Sequence, residues 1–271
     1  MRLFDSHCHL DLAPLQDDCP GLLERACRAG VHGFLLPAVA PAQWETLSLW
    51  PQKHPKCHIA LGIHPSALQT LETNSPHLLL EFLETLLPYA CAVGECGLDK
   101  PLEKVVCLEK QVQWFSAQML LAKKHALPLV IHCKGAYGLL LELLRQHAPF
   151  PAGFVLHSFG GSAELVEAFA KLGGYFSFSG NICRPHARKA VSALYQTPPE
   201  RLLFETDSPF QSPFPFHRQT NEPAFLTTIV HKASELLKIP FEELACLSFL
   251  NAQRLFSFPA SPPPSSLSVP L

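Results

Sequence analysis

The sequence predicts a (β/α)8 barrel, on three observations. Short apolar runs recur eight times along the 271 residues. Amphipathic stretches of helical spacing separate most of them. Several runs stop at an ionisable residue, as buried parallel strands with functional tips do. In such a barrel the active site forms at the C-terminal ends of the strands.

The elements follow in order. The first strand is expected over 3–6 and opens into Phe4-Asp5-Ser6-His7-Cys8-His9-Leu10-Asp11. On an extended backbone His7 and His9 point the same way, because side chains alternate faces. A helix would set them about 200° apart. The pair is therefore expected on a strand, gripping one cation. Strands two and three fall at 33–38 and 58–62, the latter leading into Gly62-Ile63-His64-Pro65. A helix over 76–88 carries an apolar run, and the fourth strand, 91–95, ends at Glu95. The next helix, 103–125, has Gln111, Phe115, Gln118 and Ala122 at helical spacing, and the strand after it, 128–132, ends at His132. A helix over Tyr137–His147 precedes a sixth strand, 153–157, that ends at His157. Helix 162–172, strand 174–179 and helix 184–195 lead to the last strand, 201–206, and Asp207; a helix over 222–238 follows. His132 and His157 are 25 residues apart and His157 and Asp207 are 50 apart, about one and two strand–helix units.

Length and composition set limits. One barrel accounts for residues 1–256 as a single domain. Residues 257–271 are rich in Pro and Ser and are expected to be a disordered tail. A formal net charge of −2 excludes bulk electrostatic adhesion to nucleic acid, so any phosphate contact must be local. No apolar stretch is long enough for a membrane span, and the start lacks a signal-peptide pattern, so a cytoplasmic protein is expected, with no membrane association and no obligate protein partner evident. The ten cysteines are scattered and read as reduced thiols. Cys8, Cys96 and Cys133 adjoin the candidate ligands, but strand alternation turns them into the layer between barrel and helices.

Four histidines and two carboxylates, His7, His9, Glu95, His132, His157 and Asp207, are too many ligands for one tetrahedral ion and suit two divalent cations, Mg2+/Mn2+ or Zn2+. A carboxylate such as Glu95 has two oxygens and can bridge them. Two such ions bind a phosphate or carbonyl oxygen and lower the pKa of a bound water, which points to hydrolysis. Glu205 shares the inward parity of Asp207 and reads as its support. Phe159, Phe210, Phe214 and Phe216 follow the sixth and eighth strands and serve either packing or base stacking, with packing preferred. Arg184, Arg188 and Lys189 either touch phosphate or form a solvated helix face.

These residues carry a resemblance. His7-Cys8-His9-Leu10-Asp11, Gly62-Ile63-His64-Pro65, Gly94-Glu95-Cys96-Gly97-Leu98-Asp99, Ile131-His132-Cys133, Leu156-His157-Ser158-Phe159 and Glu205-Thr206-Asp207-Ser208-Pro209 resemble the TatD family of metal-dependent deoxyribonucleases. Asn221-Glu222-Pro223 and Asn251-Ala252-Gln253-Arg254-Leu255-Phe256 extend the likeness over nearly the whole chain. The resemblance implies that His7, His9 and Asp207 hold one metal, that His132 and His157 hold the second, and that Glu95 bridges them. It implies that Asp207 also orients or deprotonates the attacking water, and that His64 lies near the substrate phosphate. Two positions depart from the family pattern. Lys134 stands where an arginine is common; it supplies a point charge to phosphate without a bidentate fork. Lys100-Pro101 replaces an aromatic or small residue. The implied activity is hydrolysis of DNA phosphodiesters at single-stranded or 3′ ends. The alternative is cleavage of an ester, lactone or aminoacyl-tRNA bond on the same barrel. A non-catalytic scaffold is disfavoured, because all six ligands are present.

Overall fold

The computed structural model describes residues 2–71 and 76–257, so the expectation for the Pro/Ser-rich tail falls almost wholly outside the described residues. Eight strands form one sheet: β1 (Leu3–Asp5), β2 (Val31–Pro37), β3 (Cys57–Leu61), β4 (Ala92–Asp99), β5 (Leu129–Lys134), β6 (Phe154–Leu156), β7 (Gly174–Phe178) and β8 (Leu202–Phe204). They lie in sequence order, each parallel to the next. Backbone bonds from Ser6 N to the Phe204 carbonyl (3.1 Å) and from Asp207 N to the His7 carbonyl (2.8 Å) tie β8 back to β1. The expected (β/α)8 barrel is what the chain forms.

The helices are α1 (Cys19–Arg28), the short α2 (Trp44–Ser48) and α3 (Trp50–Lys53), then α4 (His77–Leu86), α5 (Leu108–Lys124), α6 (Tyr137–His147), α7 (Val166–Lys171), α8 (Arg188–Gln196), α9 (Leu226–Leu237) and α10 (Phe241–Phe256). Four of these, α1, α2, α3 and α10, lie outside the expected set. Pro20 and Gly21 disguise the start of α1, yet proline is tolerated in a first helical turn. The helix expected from residue 103 begins at Leu108 instead, after a 3-10 turn over Lys100–Lys104.

Two apolar layers follow from strand alternation. Phe4, Leu35, Ala60, Val130, Val155, Tyr175 and Leu203, one from each of seven strands, fill the barrel interior together with Ala92 of β4. Leu255 and Phe256 of α10 join that cluster. Their neighbours in sequence, such as Phe34, Leu36, Leu129 and Ile131, point outward under the helices. Cys8, Cys96 and Cys133 belong to this outer layer, on the face opposite the candidate ligand beside each, as expected. Each large apolar side chain so buried contributes about 1.5–3 kcal/mol.

Buried amides fasten the helices to the functional end of the barrel. Gln118 of α5 brackets Ile63 beyond β3, its Oε1 accepting from Ile63 N (2.7 Å) and its Nε2 donating to the carbonyl (3.2 Å). Gln111 does the same to Asp99 at the end of β4, at 2.8 and 3.1 Å. Asn221 donates to the Thr206 carbonyl (2.7 Å). A paired buried amide satisfies strand-end backbone that would otherwise be costly to bury. Among the described residues no helix is long and apolar enough to cross a membrane.

Candidate metal centre

The barrel ends in a cleft of about 720 Å³ at the C-terminal side of the strands. Glu95 lies at its centre, and the backbone explains how it gets there. On β4 Ala92 faces inward and Val93 outward. The β4–β5 register then jumps, pairing Gly94 with Val130 but Cys96 with Ile131. This bulge leaves Glu95 out of the ladder and inverts the parity, so Glu95 turns inward and Cys96 outward. Without it, Cys96 would face the interior.

Both carboxylate oxygens of Glu95 meet imidazoles. Oε2 lies 3.3 Å from His7 Nε2 and 3.9 Å from His9 Nε2. Oε1 lies 2.9 Å from His157 Nε2, 3.1 Å from His132 Nδ1 and 3.6 Å from His64 Nε2. Asp207 Oδ1 stands 3.7 and 3.6 Å from the Nε2 atoms of His7 and His9. The six residues expected as ligands are thus brought together. His7 and His9 do not sit on a strand, as β1 stops at Asp5. The chain bends at Ser6 and His7 but stays between β2 and β8, with Cys8 N bonded to the Leu35 carbonyl at 3.0 Å. The bend inverts the parity set by Phe4, so that His7 and His9 turn toward the cleft and Cys8 outward, and the two imidazoles converge to 3.1 Å. His157 and Asp207 likewise lie just past β6 and β8.

The donor set fits divalent cations. His7 Nε2 faces His9 Nε2 at 3.1 Å, and His132 Nδ1 faces His157 Nε2 at 3.1 Å. Two neutral imidazoles meeting nitrogen to nitrogen satisfy one lone pair at best. The Nδ1 atoms of His7 and His9 are buried without a hydrogen-bond partner. Imidazole nitrogens with carboxylate oxygens suit zinc or manganese, and the carboxylates admit magnesium. Close groupings of His7, His9 and Glu95, and of His64, Glu95 and His132, are present among the described residues. Burial pushes the Glu95 and Asp207 carboxyls upward, but the neighbouring imidazoles outweigh it and hold both below the usual carboxylate range.

The surrounding groups orient these side chains. Glu205 Oε1 is 3.3 Å from His157 Nδ1 and accepts from Ser158 N at 2.6 Å, the supporting position expected of it. Asp99 Oδ2 is 3.1 Å from His132 Nε2. Asp99 has no role assigned from the sequence, yet it shares the face of Glu95 and Gly97 on β4. Asp5 accepts from Thr206 N (2.9 Å) and Thr206 Oγ1 (2.6 Å), bracing the ends of β1 and β8. Gln211 was also missed. Its Nε2 donates to Asp207 Oδ2, while its Oε1 accepts from Ser158, Ser179 and Asn181. Nothing in the sequence marks a loop glutamine for this.

His64 is distinct from the other imidazoles. Its Nδ1 accepts from Ser66 N at 3.0 Å, which places the proton of the neutral ring on Nε2, toward Glu95. Burial holds its pKa down to about 4, so the ring is a neutral donor. Lys134 is exposed at the rim, with Arg184 and Lys189 across the cleft. Phe159 is buried and packs edge-on against Phe176 at 5.0 Å, whereas Phe210 is 54 % exposed at the mouth.

The family model described as TatD related DNase matches residues 4–257. The chain belongs to the TatD family. As a TatD-family protein it is a metal-dependent hydrolase on a (β/α)8 barrel. It is 32% identical over 263 residues to the uncharacterized metal-dependent hydrolase YabD of Bacillus subtilis, covering 94% of this chain and 98% of the relative. It is 32% identical over 262 residues to the 3'-5' ssDNA/RNA exonuclease TatD of Erwinia tasmaniensis, covering 94% and 100%. The crystal structure of the TatD homolog YJJV from Escherichia coli K12 superposes with a TM-score of 0.88 at 30% identity, over 95% of this chain and 98% of that one.

Proposed function

We propose that this protein is a two-metal phosphodiesterase that trims DNA exonucleolytically from single-stranded or 3′ ends. The observation that carries the reading is Glu95, whose two oxygens each address a different histidine group. In this reading His7, His9 and Asp207 hold one cation, His132 and His157 the other, and Glu95 bridges them. When bound, the two cations, Mg2+/Mn2+ or Zn2+, lower the pKa of the attacking water and neutralise charge developing on phosphate.

The protein's own groups supply the rest. Asp207 is ionised and accepts the proton of the attacking water. Glu205 and Asp99 hold His157 and His132 in place. His64 presents its Nε2–H to a phosphoryl oxygen, and Lys134 supplies a point charge at the rim. The exonuclease name of the Erwinia relative supports the substrate class. So do the cations Lys134, Arg184 and Lys189 around the cleft.

The test is turnover by metal-loaded protein of end-labelled single-stranded DNA, an aminoacyl-tRNA and a panel of esters and lactones. Release of nucleotides from the 3′ end is expected. Turnover of esters, lactones or aminoacyl-tRNA with DNA left intact would replace the nuclease reading.

A further inference from the structure

A second groove, of about 560 Å³, lies beside the catalytic cleft and shares Gly135 with it. Its remaining walls are Lys100, Pro101, Glu103 and Lys104, on the 3-10 turn that follows β4. The β4–β5 ladder pairs Asp99 with Lys134. Lys100 therefore stands next to the rim of the cleft, with Gly135 between the two spaces. A Cβ built on Gly135 would lie 3.4 Å from Lys100 Cβ and 3.6 Å from Pro101 Cδ, so Gly135 stands directly against the turn that carries the two lysines.

Three lysines, Lys134, Lys100 and Lys104, line this path. Among the described residues, Arg25, Arg28, Lys124, Lys171 and Lys232 pair with carboxylates and the other lysines and arginines do not. Lys100, Lys104 and Lys134 take part in no such ion pair, and Asp99, the nearest inward carboxylate, is engaged by His132. Glu103 is the one carboxylate lining the groove, against two lysines. The chain as a whole is slightly acidic, so these cations are a local feature. A small phosphate ester would be served inside the cleft. Cations that lead away from it are useful only to an anion that continues, and a basic groove tracking the backbone is how single strands are held.

We propose that the Lys100–Lys104 groove is a subsite for the continuing strand. Lys100 and Lys104 each hold a phosphate of nucleotides beyond the one being cleaved, and the strand enters over Gly135 past Lys134. The proposal rests on the nucleic-acid reading above and adds to it a dependence on strand length.

The experiment compares KM for metal-loaded wild type and Lys100→Ala/Lys104→Ala on single-stranded DNA of two, four, eight and twelve nucleotides, over a range of salt. Both side chains are exposed. In the wild type KM falls as the strand lengthens. In the double variant that fall is lost, and KM for the twelve-mer rises about tenfold at low salt, as expected for two lost phosphate contacts. The slope of log KM against log salt flattens by about 1.4, since each contact to a single strand contributes about 0.7. Lys100→Arg/Lys104→Arg restores the length dependence, because a point charge suffices. A double variant that keeps the wild-type length dependence would overturn the subsite while leaving the nuclease reading intact. A wild type that cleaves no DNA of any length, but does cleave esters or lactones, would overturn both.

Discussion

Asp207 occupies left-handed backbone, φ 56°, just past β8. Asp and Asn tolerate that region better than other side-chain-bearing residues. Asp207→Asn is therefore expected to fold and to keep part of its metal. It cannot accept a proton from water, and kcat should fall by at least about a hundredfold, the scale of a lost general base. Circular dichroism, metal analysis and turnover at saturating metal check this; near-normal kcat would remove Asp207 from the role of base. His58 offers a test at the other end of the barrel. It stacks on Phe4 at 5.9 Å, and burial holds its pKa down to about 4. In the unfolded chain it titrates near the ordinary value of 6.5. Between those values the unfolded state binds more protons, so stability is present above pH 6.5 and is lost as pH falls toward 4. His58→Phe should reduce the loss of unfolding free energy between pH 7 and pH 4.5 by about 2 kcal/mol, measured by urea titration. At this scale the convergence of the six candidate ligands was legible because each ends or follows an apolar run. Asp99 and Gln211 were not. Asp99 lies four residues past the bulged Glu95 and on the same face, and Gln211 acts from a loop.

At the scale of elements, the barrel order was readable from the alternation of runs, but the devices that aim the site were not. The bulge in β4 decides which residues face the cleft, and it depends on backbone that a side chain would block. Gly97 has φ 142°, and a Cβ there would collide with the carbonyl oxygen of His132 on the facing strand. Gly97→Ala must therefore part β4 from β5 at the point where Glu95 and His132 are set. It should destabilise the fold by at least about 2 kcal/mol or prevent folding, and in any folded fraction it should lower metal content. Gly138, in the first turn of α6, meets nothing within 4 Å of a built Cβ. Gly138→Ala should stabilise by about 0.5 kcal/mol, because alanine is the better helix former. Comparable melting temperatures for the two alanine variants would show that β4 does not need its glycine. The buried amides Gln111 and Gln118 show the same limit of sequence reasoning. Their helical spacing was visible, but which strand-end backbone they bracket, 12 residues away for Gln111 and 55 for Gln118, was not.

The candidate ligands come from the ends of β1, β4, β5, β6 and β8. A cation held among them ties together segments from opposite sides of the barrel, and unfolding of any one of those strands would release it. Metal binding should therefore act on the stability of the whole molecule. A ligand that binds only the folded state adds about 2.7 kcal/mol at a hundred times its Kd. For a chain of this size that corresponds to a rise of about 5 °C or more in Tm. Treatment with a chelator is expected to abolish turnover and lower Tm. Readdition of Mg2+, Mn2+ or Zn2+ should restore turnover up to saturation and raise Tm with the logarithm of concentration. Cys8→Ser and Cys133→Ser should leave the stoichiometry unchanged, because both thiols lie in the outer apolar layer, away from the cleft-facing nitrogens. Elemental analysis, calorimetry and turnover on the same samples separate the possibilities. Full turnover by metal-stripped protein would sink the metal reading. Restored turnover with no rise in Tm would mean that the cations serve the chemistry without bracing the barrel.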